Sequence, residues 1–192
     1  VQTGTVTIPA GASSTYTGPV APFSLTMPDA GTIFAGRNAA DLYNGVVYLV
    51  QYDISAADGP TIHSFLRIMI SEPGKAAKNR NPVISSIDLA GSPLPDTIAM
   101  PADAVDLRAI SPADSSEVFQ TMTPNGGFIE RTEDMINTWF IPDGEIDFSR
   151  TLADGVNTWN PPGAKPADRG LVMLVVTRDG RGGAAFRRIE MY

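Results

Sequence analysis

Three carboxylates, Asp143, Glu145 and Asp147, alternate with Gly144, Ile146 and Phe148. In an extended chain, side chains two residues apart share a face, so this triplet could offer hard oxygen ligands to Ca²⁺. The same alternation describes, and better suits, a strand with a solvated acidic face and Ile146 and Phe148 buried behind it. A second acidic group, Glu130, Glu133 and Asp134, could approach the first in space. Glycoside hydrolysis needs paired carboxylates at a fixed separation in a cleft, and nothing in the sequence sets one.

His63 is the only histidine, and cysteine is absent. Thiol chemistry, disulfides and thiolate metal sites are thereby excluded. A Ser/His/Asp triad would have to use His63, and no Gly-x-Ser-x-Gly elbow accompanies it; His63 reads as a strand residue following the Asp58-Gly59 turn. The run Asp179-Gly180-Arg181-Gly182-Gly183 resembles a phosphate loop in composition. It lies between two strand patterns and lacks the helix N-terminus that binds phosphate, so it reads as a turn. Tyr16, Tyr43, Tyr48, Tyr52, Trp159 and Tyr192 are candidates for an exposed aromatic platform that binds sugar or peptide. Tyr48 and Tyr52 flank Val50 on one strand face, an arrangement that suits core or inter-domain packing better.

The elements positioning these residues are strands. Gly 18 and Pro 16 in 192 residues exceed the average of about 12%, as many short strands joined by turns require. Strand patterns fall at Thr3–Ile8, Phe23–Met27, Val46–Tyr52, Ile62–Ile70, Val83–Leu89, Ala104–Ile110, Phe128–Glu130, Asn137–Ile141, Glu145–Phe148, Gly170–Thr177 and Ala184–Tyr192. Their spacing with intervening turn signals indicates a sandwich or barrel. Helix signals are confined to short windows near Asn38–Leu42 and Glu133–Asn137. No apolar run approaches the roughly 18 residues of a membrane span. A net charge of −7 without a basic stripe argues against nucleic acid.

An internal repeat divides the chain. Val47-Tyr48-Leu49-Val50, Asp58-Gly59 and Phe65-Leu66-Arg67-Ile68 return as Met173-Leu174-Val175-Val176, Asp179-Gly180 and Phe186-Arg187-Arg188-Ile189. Each copy is a strand, an Asp-Gly turn that tolerates positive φ, and a returning strand. Alternation places Leu66, Ile68 and Ile70, and likewise Ala185, Ile189 and Met191, towards a core, with Arg67 and Arg188 opposite. Ile8-Pro9-Ala10 and Met100-Pro101-Ala102 form a fainter echo near the start of each half. Glu72–Arg80 lacks apolar anchors, carries Pro73 and Gly74, and reads as a linker.

From Asn81 onward the chain resembles the Ig-like domains of bacterial cell-surface proteins and lipoproteins related to polycystic-kidney-disease-type (PKD) repeats. Asn81-Pro82-Val83-Ile84, Thr138-Trp139-Phe140, Asn157-Thr158-Trp159 leading to Pro161-Pro162-Gly163, and Val175-Val176-Thr177-Arg178-Asp179-Gly180-Arg181-Gly182-Gly183 carry the resemblance. It implies that Trp139, on a third strand, fills the core between two sheets. Where many such repeats have an acidic Asp-Pro-Asp-Gly-Asp loop, this chain has Ser111-Pro112-Ala113-Asp114-Ser115, which weakens a calcium site carried over from the family.

The expectation is an all-β chain of two tandem Ig-like β-sandwich domains. Residues 1–72 form a reduced Ig-like sandwich, 73–80 a linker and 81–192 an Ig-like, PKD-related sandwich. The start at Val1-Gln2-Thr3, without Met or leader, reads as a trimmed or mature fragment whose targeting segment lies upstream. The expected function is a non-catalytic structural or binding module, exported to the cell envelope, periplasm or outer surface, with no cofactor. Its expected partner is a protein or glycan, not nucleic acid, and it meets a membrane only through an upstream N-terminal anchor. The alternatives are a carbohydrate- or calcium-binding adhesion module and, more remotely, a hydrolase.

Overall fold

The computed structural model describes residues 26–55, 61–75, 78–167 and 170–192. Among the described residues strands make up 46% and helix 8%, so these are mainly β-structure. The patterns at Thr3–Ile8 and most of Phe23–Met27, the Ile8-Pro9-Ala10 echo, Tyr16 and the Asp58-Gly59 turn lie outside the described residues. Contacts divide the chain into two units, Val1–Gly36 and Arg37–Tyr192.

In the first unit, α1 (Ala30–Ile33) is a single turn capped by Asp29, whose Oδ1 accepts from the Thr32 amide at 2.9 Å. The bonds from Thr32 hold the Asp29 carboxyl below its ordinary value.

The second unit opens with α2 (Ala39–Asn44), capped by Asn38, whose side chain accepts from the Asp41 amide. The hairpin β1 (Val46–Ser55) and β2 (Thr61–Ile70) follows. Then come β3 (Ser86–Leu89), β4 (Ser92–Pro93), β5 (Thr97–Ile98), β6 (Val105–Ile110), β7 (Val118–Met122) and β8 (Phe128–Thr132). The chain closes with β9 (Ile136–Phe140), β10 (Glu145–Ile146), β11 (Arg150–Leu152), β12 (Asn157–Asn160), β13 (Leu171–Arg178) and β14 (Ala184–Met191). The helical window at Glu133–Asn137 is overturned: β9 begins at Ile136, because alternate burial of Met135, Asn137 and Trp139 follows a period of two.

Two five-stranded sheets form, in the orders β10-β12-β6-β3-β4 and β11-β9-β13-β14-β5. Every pair in them is antiparallel except β5 with β14. Ile87, Leu107 and Trp159 from the first sheet and Trp139, Met173, Val175 and Ile189 from the second build one buried core. Along β13, Leu171, Met173, Val175 and Thr177 are buried while their neighbours are not, so the alternation in the sequence survives intact. Three buried polar side chains of the core, Asn137, Asn157 and Thr177, are paired, as their desolvation demands. The Thr177 hydroxyl donates to Asn137 Oδ1 at 2.6 Å. Asn157 both accepts from the Phe148 amide and donates to its carbonyl.

The two copies of the repeat are both antiparallel hairpins, yet their alignment differs from the sequence match. Ile189 lies opposite Met173, whereas Ile68 lies opposite Tyr48 and not Val47. Phe186 sits two residues beyond the closing pair Arg178↔Ala184, and Phe65 sits four beyond Ser55↔Thr61. Among the described residues, β1 and β2 pair with no other strand. Leu66, expected in a core, is 52% exposed there, and among the described residues no second sheet pairs with or faces that ribbon.

Residues at the end of the expected linker are anchored. The Asn79 side chain donates to Asp179, the Arg80 amide and guanidinium both donate to Glu117, and the Val83 amide donates to Ser115 Oγ. Trypsin is therefore expected to cut first after the exposed Lys75 or Lys78 and later after Arg80; first cuts within β6 or β13 would contradict this. The Arg80 contacts hold the Glu117 carboxyl below its ordinary range. A lowered folded value adds stability that is complete above about pH 4–5 and lost as pH falls through that value. Melting profiles should show Glu117→Gln less stable than wild type near neutrality, with the gap closing in acid.

Candidate interaction face

The acidic triplet does not converge. The Asp143 carbonyl accepts from Trp159 Nε1 at 3.2 Å, Glu145 pairs across to Asn160, and the Asp147 amide donates to the Thr158 carbonyl. Gly144 adopts φ +83° between them, where a side chain would strike the Asn160 carbonyl and the Trp159 indole. Glu145 and Asp147 are exposed and Ile146 packs against the core, as the strand reading expected. Phe148 departs from it: the side chain is 58% exposed, because the strand ends at Ile146. Among the described residues no group of three His, Cys, Asp or Glu side chains could hold a metal ion. Millimolar Ca²⁺ is expected to leave the melting temperature where chelator leaves it. Occupancy at a hundredfold excess over Kd would add about 2.7 kcal/mol, so a rise of several degrees would overturn this.

His63 Nδ1 lies 2.8 Å from Asp53 Oδ1, directly across the β1–β2 ribbon, with both side chains largely in solvent. Trp159, expected among the exposed aromatics, is fully buried; Ile146 beside it and the Asp143 carbonyl enclose the indole. Tyr43 stacks edge-on against Phe128 at 5.0 Å, while Tyr52 and Tyr192 are exposed on separate elements. No aromatic platform of the expected membership forms among the described residues.

A buried ionic cluster organises the Asp179–Gly183 turn. Glu133, with no side-chain exposure, accepts from Arg181 Nη1 and from the Glu117 amide, each at 2.9 Å. Arg181 also lies 3.6 Å from Glu117 and stacks on the Phe119 ring at 4.3 Å. Asp179 accepts from the amides of Arg181 and Gly183, and a side chain at Gly183 would collide with that carboxylate. The sequence reading of this run as a turn agrees with the geometry. The cluster braces the turn, the β7–β8 hairpin and residues 79–80 together.

The outer faces of the two sheets differ in chemistry. On β10-β12-β6-β3, the residues between the buried ones are Glu145, Thr158, Asp106, Arg108 and Asp88, a polar face with three carboxylates and one arginine. On β11-β9-β13-β14 the outward positions are predominantly apolar. Leu152 is 71% exposed, Phe186 72%, Phe140 48% and Ile136 39%, with Val172, Leu174 and Val176 half-buried between them. Its charges are Arg150, Arg178 and Arg188 against Glu190 alone, in a chain whose net charge is −7. A groove of about 530 Å³ borders this face where β5 leaves most of β14 unpaired, and there Arg187 Nη2 donates to Asp96 at 3.1 Å.

This face was missed in the sequence because β13 is apolar on both of its faces, and alternation alone does not tell which of two apolar faces a second sheet covers. Aromatic and arginine side chains are enriched at protein interfaces, and lysine and glutamate are depleted; this face follows that composition. No protein family, no characterised protein and no solved structure matches the chain.

Proposed function

We propose that the chain is a non-catalytic binding module of an exported bacterial envelope protein, built on Ig-like β-sandwiches and engaging a protein partner through the outer face of β11-β9-β13-β14. The observation carrying this reading is the asymmetry of the outer faces: one polar and acidic, the other apolar with arginines. An apolar sheet face left in water is costly, at about 25 cal/mol per Å² of apolar area, and such patches mark interaction sites.

The strand orders support the Ig-like reading. β3, β6, β12 and β10 match an A-B-E-D sheet, and β9, β13 and β14 match C-F-G. Trp139 stands on β9, the equivalent of strand C, with 3% exposure. In the proposal β1 and β2 close an N-terminal domain, residues 1–72, as β13 and β14 close the one at 81–192.

The test is a photoactivatable phenylalanine analogue in place of Phe186, compared with the same group in place of Thr158 on the polar face. In intact producing cells, the first is expected to give a discrete protein adduct recovered with the envelope, and the second none. Equal labelling at both positions, or none at either, would remove the face from the proposal.

A further inference from the structure

The strand β14 is paired unequally on its two sides. β13 covers it along its whole length, from Ala184 to Met191. On the other side β5 reaches only Glu190 and Met191. The bonds there show which backbone groups face that side: the Glu190 amide donates to the Asp96 carbonyl and the Tyr192 amide to the Ile98 carbonyl. Backbone groups of successive residues point to opposite edges of a strand. The N–H and C=O groups of Ala184, Phe186 and Arg188 therefore face the same way as those of Glu190. Among the described residues nothing bonds to them. The open lane from Ala184 to Arg188 is about 13 Å long, and the groove of about 530 Å³ lies against it, with Ile84, Thr97 and Phe186 among its walls.

Resting on the reading of this sheet as the binding surface, we propose that the partner adds a strand here. An extended, uncharged segment of another protein pairs with Ala184–Arg188, in line with β5, and becomes the outermost strand of the sheet. Strand addition at an open edge is a recurrent mode of peptide recognition, in which main-chain bonds give affinity and alternate side chains give specificity. Open edges are commonly blunted by Lys, Pro or a bulge. Residues 184–188 contain no Lys or Pro, and their register with β13 is unbroken. The same occupant accounts for Phe186, which is 72% exposed because Val176 flanks it on one side and no strand on the other. An added strand sets a side chain beside that ring, where aromatic and β-branched residues pair well. The charges at the groove are matched within the chain, Arg187 with Asp96 at 3.1 Å and Arg188 with Glu190 at 2.6 Å, so the lane calls for no charged side chain.

A second copy of β14 does not fit the lane. Antiparallel pairing centred on Phe186 sets Gly182 of that copy opposite Glu190, where Thr97 already lies, and drives its Asp179–Gly183 turn into β5. A segment of about five residues with no turn at its end meets no such obstacle.

A display library of random octapeptides panned on the full chain tests the proposal, with amide hydrogen exchange as the readout. Enriched peptides are expected to slow exchange of the Ala184, Phe186 and Arg188 amides at least tenfold. The Ala185 and Arg187 amides face β13 and should exchange slowly with or without peptide. Ala184→Pro removes an amide with no partner, so it should leave the melting temperature unchanged and weaken the enriched peptides about tenfold. If the proline costs stability, the exchange pattern decides alone. No enriched peptide, peptides that leave the three amides unprotected, or unchanged affinity for a folded Ala184→Pro chain overturns the proposal. In that case a protein adduct from position 186 would leave the binding-module reading standing, while no adduct at all would remove both.

Discussion

Trp139→Ala and Trp159→Ala are each expected to lower stability by about 3–5 kcal/mol, the cost of deleting a large buried aromatic and leaving a cavity. Trp139 and Trp159 are 3% and 0% exposed and come from opposite sheets, so each truncation opens the middle of the shared core. Each indole also donates a hydrogen bond, Trp139 to Thr151 Oγ1 at 3.0 Å and Trp159 to the Asp143 carbonyl at 3.2 Å. Losing Trp159 would thus free the Asp143–Glu145 turn as well. Against a typical 5–15 kcal/mol, either loss is a large share. Urea denaturation followed by circular dichroism measures it, and a midpoint equal to wild type for either variant would show that the indole is not where the core needs it. Trp159→Phe separates the two contributions. It keeps much of the apolar volume while removing the donor and the pyrrole ring, so it should cost less than the alanine variant.

The second large effect is expected at Arg181. Removing one partner of a buried ion pair leaves an uncompensated charge and typically costs about 3–5 kcal/mol. Glu133 has no side-chain exposure and meets the Arg181 guanidinium at 2.9 Å. Arg181→Ala also removes the cation stacked on Phe119. The decisive comparison is a double-mutant cycle. Arg181→Met alone strands the Glu133 carboxylate, whereas Arg181→Met with Glu133→Gln keeps an acceptor for the Glu117 amide and buries no net charge. The double variant should therefore be more stable than the sum of the single losses predicts. Strict additivity would mean that the two side chains act independently.

Much of the strand content was legible because burial alternates where the sequence alternates. Leu171, Met173 and Val175, or Leu107 and Ala109, are buried in the register that their apolar spacing sets. The same logic found the β13–β14 hairpin, since Asp179 and the glycines after it suit a tight turn. Short strands escaped: β4, β5 and β11 have two or three residues each and hold no pattern long enough to read. They exist because a neighbouring strand offers them a ladder. β7 and β12 were also missed, their apolar residues too few to show alternation on their own.

The sequence by itself determined which side chains share a face, because a period of two is a local property of the extended backbone. It determined, too, that residues 179–183 turn and that thiol chemistry is absent. Only the tertiary structure decided which of two faces is covered. Phe140 and Phe186 look as apolar as any core residue, yet among the described residues no second sheet packs on their side, whereas Trp159, within a polar Asn-Thr-Trp-Asn run, is enclosed by β10 and the Asp143 carbonyl sixteen residues away. Likewise Arg181 finds Glu133 forty-eight residues distant. Burial and pairing of this kind depend on which strands become neighbours, and that is settled by the packing of the whole sheet pair, not by any segment read alone.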